Sequence, residues 1–124
     1  MLNTLLSVTV TVVFVLLCVI CPLGILRCSE KSREKKWERI DCFLRNIHKK
    51  MGVCVLILAL LHGIAEMKAG NMNGVFSGKI CFLLLLLLWL SYAGKRILKE
   101  KWMLVHRMLA ALAVVAVIAH VGGM

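Results

Sequence analysis

The residues best suited to chemistry are the four histidines, His48, His62, His106 and His120, and they fall in two copies of one pattern. One copy reads HKKMGVCVLILALLHGI from His48, the other HRMLAALAVVAVIAHVGG from His106. In each, a basic residue (Lys49, Arg107) follows the first histidine, a small residue (Gly52, Ala110) stands four positions after it, and a second histidine closes the apolar run after fourteen. On a helix, fourteen residues return the second imidazole to within about 40° of the first and place it about 21 Å further along the axis. Each helix thus carries one imidazole near each end, on one face. An imidazole within so apolar a segment is costly and points to metal or cofactor ligation. A ring at a membrane interface, or one bonded to a backbone carbonyl, is the alternative for any single histidine.

The elements that must position these side chains follow from composition. The chain has 124 residues, 61% of them hydrophobic, a mean hydropathy of +0.91 and a formal charge of +10. So much apolar surface cannot be hidden by so short a chain, which excludes an ordinary soluble domain. The charge does not suggest nucleic acid. It clusters at the ends of apolar runs, where it sets topology and meets anionic lipid, and no basic patch interleaved with aromatic residues occurs. Of the six cysteines, Cys18, Cys21, Cys54 and Cys81 lie in apolar runs and read as small hydrophobic filler, while Cys28 and Cys42 flank a basic loop. Cys18 and Cys21 form a CxxC, but Pro22 follows in place of histidine, so the signature of covalent haem attachment is absent.

The expected fold is all-α, an integral membrane four-helix up-down-up-down bundle in one domain, with spans at about 2–26, 47–67, 80–93 and 102–121. About 20 residues cross the hydrocarbon. Pro22 and Gly24 are candidates to kink or end the first span. The segments between spans are two basic loops, 27–46 and 94–101, and a nearly uncharged, turn-forming one, 68–79. Arg27 to Lys50 holds nine of the sixteen Lys and Arg residues, five more surround the second basic loop, and two lie near the neutral one. The positive-inside rule then puts the basic loops in the cytoplasm and both termini outside. Trp37, Ile40, Leu44 and Ile47 recur near helical spacing, so part of the first loop is expected to form an amphipathic helix at the interface or to extend the second span.

In such a bundle spans two and four run in the same direction. His48 is then expected opposite His106 near the cytoplasmic surface, and His62 opposite His120 near the outer one. Two imidazoles at one depth, with no carboxylate or thiolate completing a set, do not suit zinc or di-iron, but they do suit the axial positions of a haem iron. The expectation is two noncovalent b-type haems stacked across the membrane. Gly52, Gly63 and Ala110 would let a flat macrocycle approach the backbone, and they serve helix packing equally well. Lys49, Arg107 and Arg45 are placed to pair with propionates of the inner haem, or to anchor the interface. No comparable charged group marks the outer one.

These two segments resemble the His-basic-x-x-small…His helices of the ferric reductase and NADPH oxidase transmembrane core. The resemblance covers spans two to four, and four positions carry it, His48, His62, His106 and His120. It implies two b haems passing electrons from a cytoplasmic donor, a flavoprotein or similar, to an extracytoplasmic acceptor. The cytoplasmic flavin and nicotinamide domain of that family has no counterpart here, nor does its Gly-rich phosphate fingerprint. The chain is therefore expected to be an electron-transfer subunit working in an oligomer or complex. The paired histidines also resemble the cytochrome b of quinol:cytochrome c reductases, whose regularly spaced glycines are missing from Leu83 to Leu90. A quinol-oxidising or quinone-reducing anchor is accordingly one alternative. A haem-free structural or transport subunit is the other.

Overall fold

A computed structural model describes residues 1–29, 35–70, 72 and 74–123, and gives the backbone alone at 20–29, 35–38 and 41. Four long helices, α1 (Leu2–Ser29), α2 (Lys35–Lys68), α3 (Val75–Ala93) and, after a short α4 (Lys95–Leu98) and one 3-10 turn (Lys99–Lys101), α5 (Trp102–Gly122), account for nearly all of it. There is no strand among the described residues, and the fold is all-α.

Four helical stretches are long and apolar enough to cross a membrane, Leu2–Val19, Cys42–Lys68, Val75–Ala93 and Lys95–Gly122, the last running from α4 through the 3-10 turn into α5. Their side chains are arranged as lipid requires. Leu2, Val115 and Ile118 are each at least 65% exposed, whereas Ala113 is fully buried. Large apolar groups outward and small ones inward is the reverse of a soluble domain, and apolar surface on this scale needs a nonaqueous partner. The chain is a membrane protein. Polar groups within the spans are satisfied locally: Thr9 donates to the Leu5 carbonyl at 2.7 Å and Thr11 to that of Ser7 at 2.9 Å. Hydroxyls bonded to the preceding turn are tolerated in hydrocarbon because no polar hydrogen is left exposed to it.

The first compact unit, Met1–Val55, comprises α1 and the first part of α2. Helix α1 continues to Ser29, so Pro22 does not end it. Phe14 and Leu17 are buried on α1 and Val55 on α2. Helix α2 is unbroken over 34 residues, about 51 Å at 1.5 Å per residue, well beyond the roughly 30 Å of hydrocarbon. The basic segment from Lys35 therefore extends the second span rather than forming a separate helix; residues 30–34 of the basic loop lie outside the described residues.

The second unit runs from Leu56. Helix α2 ends as Ala69 and Gly70 donate to the carbonyls of Ala65 and Met67, with Gly70 at φ +73°, a left-handed position that glycine enters without steric penalty. Helix α3 then starts at Val75, earlier than the turn-forming composition of 68–79 suggested. Ser77 and Gly78 belong to the helix because Ser77 returns its hydroxyl to the Gly74 carbonyl at 3.1 Å, and because glycine is well tolerated in membrane helices. Helices α3 and α5 pack closely, with the small residues Cys81, Ser91 and Ala113 buried. Small side chains let membrane helices approach until their backbones make dispersion contacts, which drive association where lipid offers no hydrophobic gain.

The second basic loop is compact and helical. Gly94 closes α3 with its N–H on the Leu90 carbonyl at 2.7 Å. A Cβ at Gly94 would stand 3.2 Å from that same oxygen, closer than ordinary contact. Lys99, at φ 51° and ψ −121°, turns the chain between α4 and α5.

Candidate functional site

Helix α5 carries His106 and His120, seven residues either side of the buried Ala113, so all three lie along one face. Helix α3 meets that face with serines. The hydroxyl oxygen of Ser91 is 2.9 Å from Nδ1 of His106, and that of Ser77 is 2.7 Å from Nδ1 of His120. Both serines already donate their only hydroxyl proton to a backbone carbonyl, Ser91 to Leu88 at 2.7 Å and Ser77 to Gly74 at 3.1 Å. A serine whose proton stays on that carbonyl accepts from the histidine, an arrangement that puts the imidazole proton on Nδ1 and leaves Nε2 its lone pair, the form in which a neutral imidazole binds a metal.

The rings are seated as well as bonded. A Cβ at Gly74 or Gly78 would lie 3.6 or 3.5 Å from Cε1 of His120, so that imidazole rests against the start of α3. At the other end His106 has Trp102 one turn before it, ring centroids 6.2 Å apart, and Trp102 meets Tyr92 edge to face at 6.4 Å. Lys95 places its ammonium 5.0 Å from the Tyr92 ring, a cation held over an aromatic face at the turn between α3 and α5.

From α2, His62 comes within electrostatic reach of His120, as does Glu66, one helical turn beyond His62. A residue four positions on shares the face of His62, and at Glu66 that face carries a carboxylate, not a cation of the kind placed at the other end. Nδ1 of His62 is buried with no hydrogen-bond partner among the described residues. Among the described residues, no three His, Cys, Asp or Glu side chains come together as a metal-binding set.

The remaining sequence candidates fall as follows. His48 is half-buried on α2 in the first unit, fourteen residues before His62 on the same continuous helix. Gly52, in the first unit, and Gly63, in the second, both face open space, where an added Cβ meets nothing within 4 Å. Ala110 is half-buried; the fully buried small residue of α5 is Ala113, which sequence reasoning did not single out. Arg45, Lys49 and Arg107 are exposed on the outsides of their helices. Of the cysteines, Cys81 alone among those described is buried, Cys18 is half-buried, and Cys42 and Cys54 are exposed. The side chain of Cys21, and with it the geometry of the CxxC, lies outside the described residues.

The residues missed from sequence are Ser77, Ser91 and Glu66. A signal for the serines exists, since they stand fourteen apart on the third span, which has no histidine, and repeat the interval of both histidine pairs. Comparison of the chain with protein-family models, with curated proteins and with solved structures finds no match in any of the three.

Proposed function

We propose that the chain is a small diheme b-type cytochrome subunit that relays electrons across a membrane between a cytoplasmic donor and an extracytoplasmic acceptor. The observation that carries this reading is the seating of both α5 histidines on serines of α3, with His62 within electrostatic reach of His120 and no metal-binding set of three His, Cys, Asp or Glu side chains among the described residues. Two opposed imidazoles are too few for a structural zinc site and lack the carboxylates of a di-iron site. They fit haem, which two neutral imidazoles would hold. The Nδ1-protonated form of His106 and His120 supplies the required Nε2 lone pair. A haem held by two histidines supplies one-electron exchange at an iron with no position open to substrate.

The chain's own residues then divide the work. His62 and His120 would hold the outer group. His48 and His106, each fourteen residues nearer the start of its helix, would hold the inner one. Gly52 and Gly63 leave room beside the histidine-bearing face of α2. Exposed Arg45, Lys49 and Arg107 would meet carboxylates at the inner level and steer an acidic donor to it. The positive-inside rule supports this orientation, with both termini outside. The donor is read as a flavoprotein or a similar reductant, with quinol as the alternative, and the likeness of the two histidine helices to the ferric reductase and NADPH oxidase core supports the redox class. Such a chain is an electron-transfer subunit and acts with partners.

Single His→Ala variants test the reading. His62→Ala and His120→Ala should abolish one and the same spectroscopic haem, and His48→Ala and His106→Ala the other. If His48→Ala instead removed the signal lost with His120→Ala, the assignment of pairs would fall.

A further inference from the structure

Helix α3 has no histidine, yet it reaches both ends of the histidine-bearing face of α5 with the same chemistry. Ser77 and Ser91 are fourteen residues apart, as are His120 and His106, and the two bonds share one antiparallel register. A serine in a membrane helix is satisfied by the carbonyl of the preceding turn and needs no second partner. Both of these serines have that bond and still stand 2.7 and 2.9 Å from an imidazole on another helix. Ser91 is only 6% exposed, so neither water nor lipid headgroups compete for its oxygen. On α2, by contrast, Nδ1 of His62 has no such support among the described residues.

We infer that Ser77 and Ser91 are positioning residues: by accepting the Nδ1–H of His120 and His106 they fix the tautomer and ring plane, present Nε2 to the axial ligand position and strengthen it as a donor. The inference rests on the diheme reading for what Nε2 binds, but not for the tautomer itself. A hydrogen bond from Nδ1–H to an acceptor leaves the imidazole more basic, and a more basic axial ligand favours the ferric over the ferrous state. Each serine should therefore hold down the midpoint potential of one haem. At the His62/His120 pair only the α5 ligand has this support among the described residues, so ligation there is asymmetric, with α5 preorganised and α2 completing the site.

Two measurements test it. In the full chain reconstituted with haem, Ser91→Ala should raise the midpoint potential of the inner haem alone and weaken its binding by roughly 10- to 100-fold, the range seen when an outer-shell partner of a metal ligand is removed. Ser77→Ala should do the same to the outer haem alone, and Ser91→Thr and Ser77→Thr, which keep a hydroxyl, should restore both values. The second measurement is the 15N spectrum of histidine-labelled, haem-free chain in detergent, where His106 and His120 should be protonated at Nδ1 and should lose that preference in the respective alanine variants. Wild-type spectra with His106 and His120 protonated at Nε2 would overturn the inference, as would folded alanine variants with unchanged potentials and tautomers. If the chain bound no haem while the spectra behaved as expected, the diheme reading would fail and the tautomer control by serine would stand.

Discussion

Gly78 gives a sharp handle on the seat of His120. A Cβ built at this position lies 3.5 Å from Cε1 of the ring and 3.9 Å from Nε2, which is ordinary contact. Gly78→Ala should therefore be accepted, and it should gain up to about 1 kcal/mol from replacing glycine in a helix interior. Gly78→Val adds methyls about 1.5 Å beyond that Cβ. Where one is aimed at the ring, about 2 to 2.5 Å remains, against the roughly 3.5 Å that carbon atoms tolerate. The ring must then move by about 1 Å, enough to break its 2.7 Å bond to Ser77. Overpacking costs about 1–3 kcal/mol and the lost hydrogen bond about another 1. The sum of roughly 2–4 kcal/mol corresponds to a loss of about 30- to 1000-fold in haem affinity at the His62/His120 pair. The assay is haem titration of purified variants, with helix content checked by circular dichroism. Equal affinity for both haems in Gly78→Val would refute the seating of His120 against α3.

Further consequences concern charge and attachment. Glu66→Gln should raise the midpoint potential of the outer haem without loss of haem; at a separation of roughly 10 Å and an effective dielectric of about 20, one charge contributes about 1–2 kcal/mol, or roughly 50–80 mV for one electron. A redox titration in which only the inner haem shifted would contradict the placement of Glu66. In sealed vesicles of known orientation, reduction by a soluble acidic donor from the cytoplasmic side should weaken steeply with salt and with Lys49→Glu or Arg107→Glu. Salt-independent reduction, or fast reduction only by a quinol from outside, would favour the quinol anchor. Acid acetone should extract all haem, because Pro22 stands where covalent attachment needs a histidine; pigment left on the protein would contradict noncovalent binding.

The fold class was legible because hydropathy alone decides it: four apolar runs bounded by basic or turn-forming residues leave no other class open. The histidine pattern was legible for a similar reason, since fourteen residues is close to a whole number of helical turns and the interval occurs twice. The serines were not. Ser77 sat among glycines and asparagines that read as a turn, and Ser91 closed a leucine run. Neither has meaning until α3 and α5 are set antiparallel at one register, which is a tertiary fact. Glu66 lay within reach of sequence reasoning at one turn from His62, but its electrostatic effect on His120 is a tertiary fact that the sequence does not carry. Ala110 was chosen for its place in the repeated pattern, whereas burial selects Ala113, at the midpoint between the two histidines.

The central claim is that this one small chain binds two haems, each between two histidines. Its most direct test is the ratio of haem to polypeptide in the purified, fully loaded protein, from the pyridine haemochromogen spectrum and amino-acid analysis, with a reduced-minus-oxidised spectrum of the same sample. Two b-type haems per chain, both low-spin, are expected. A colourless protein that takes up no added haem, or saturation at one haem per chain, would contradict it.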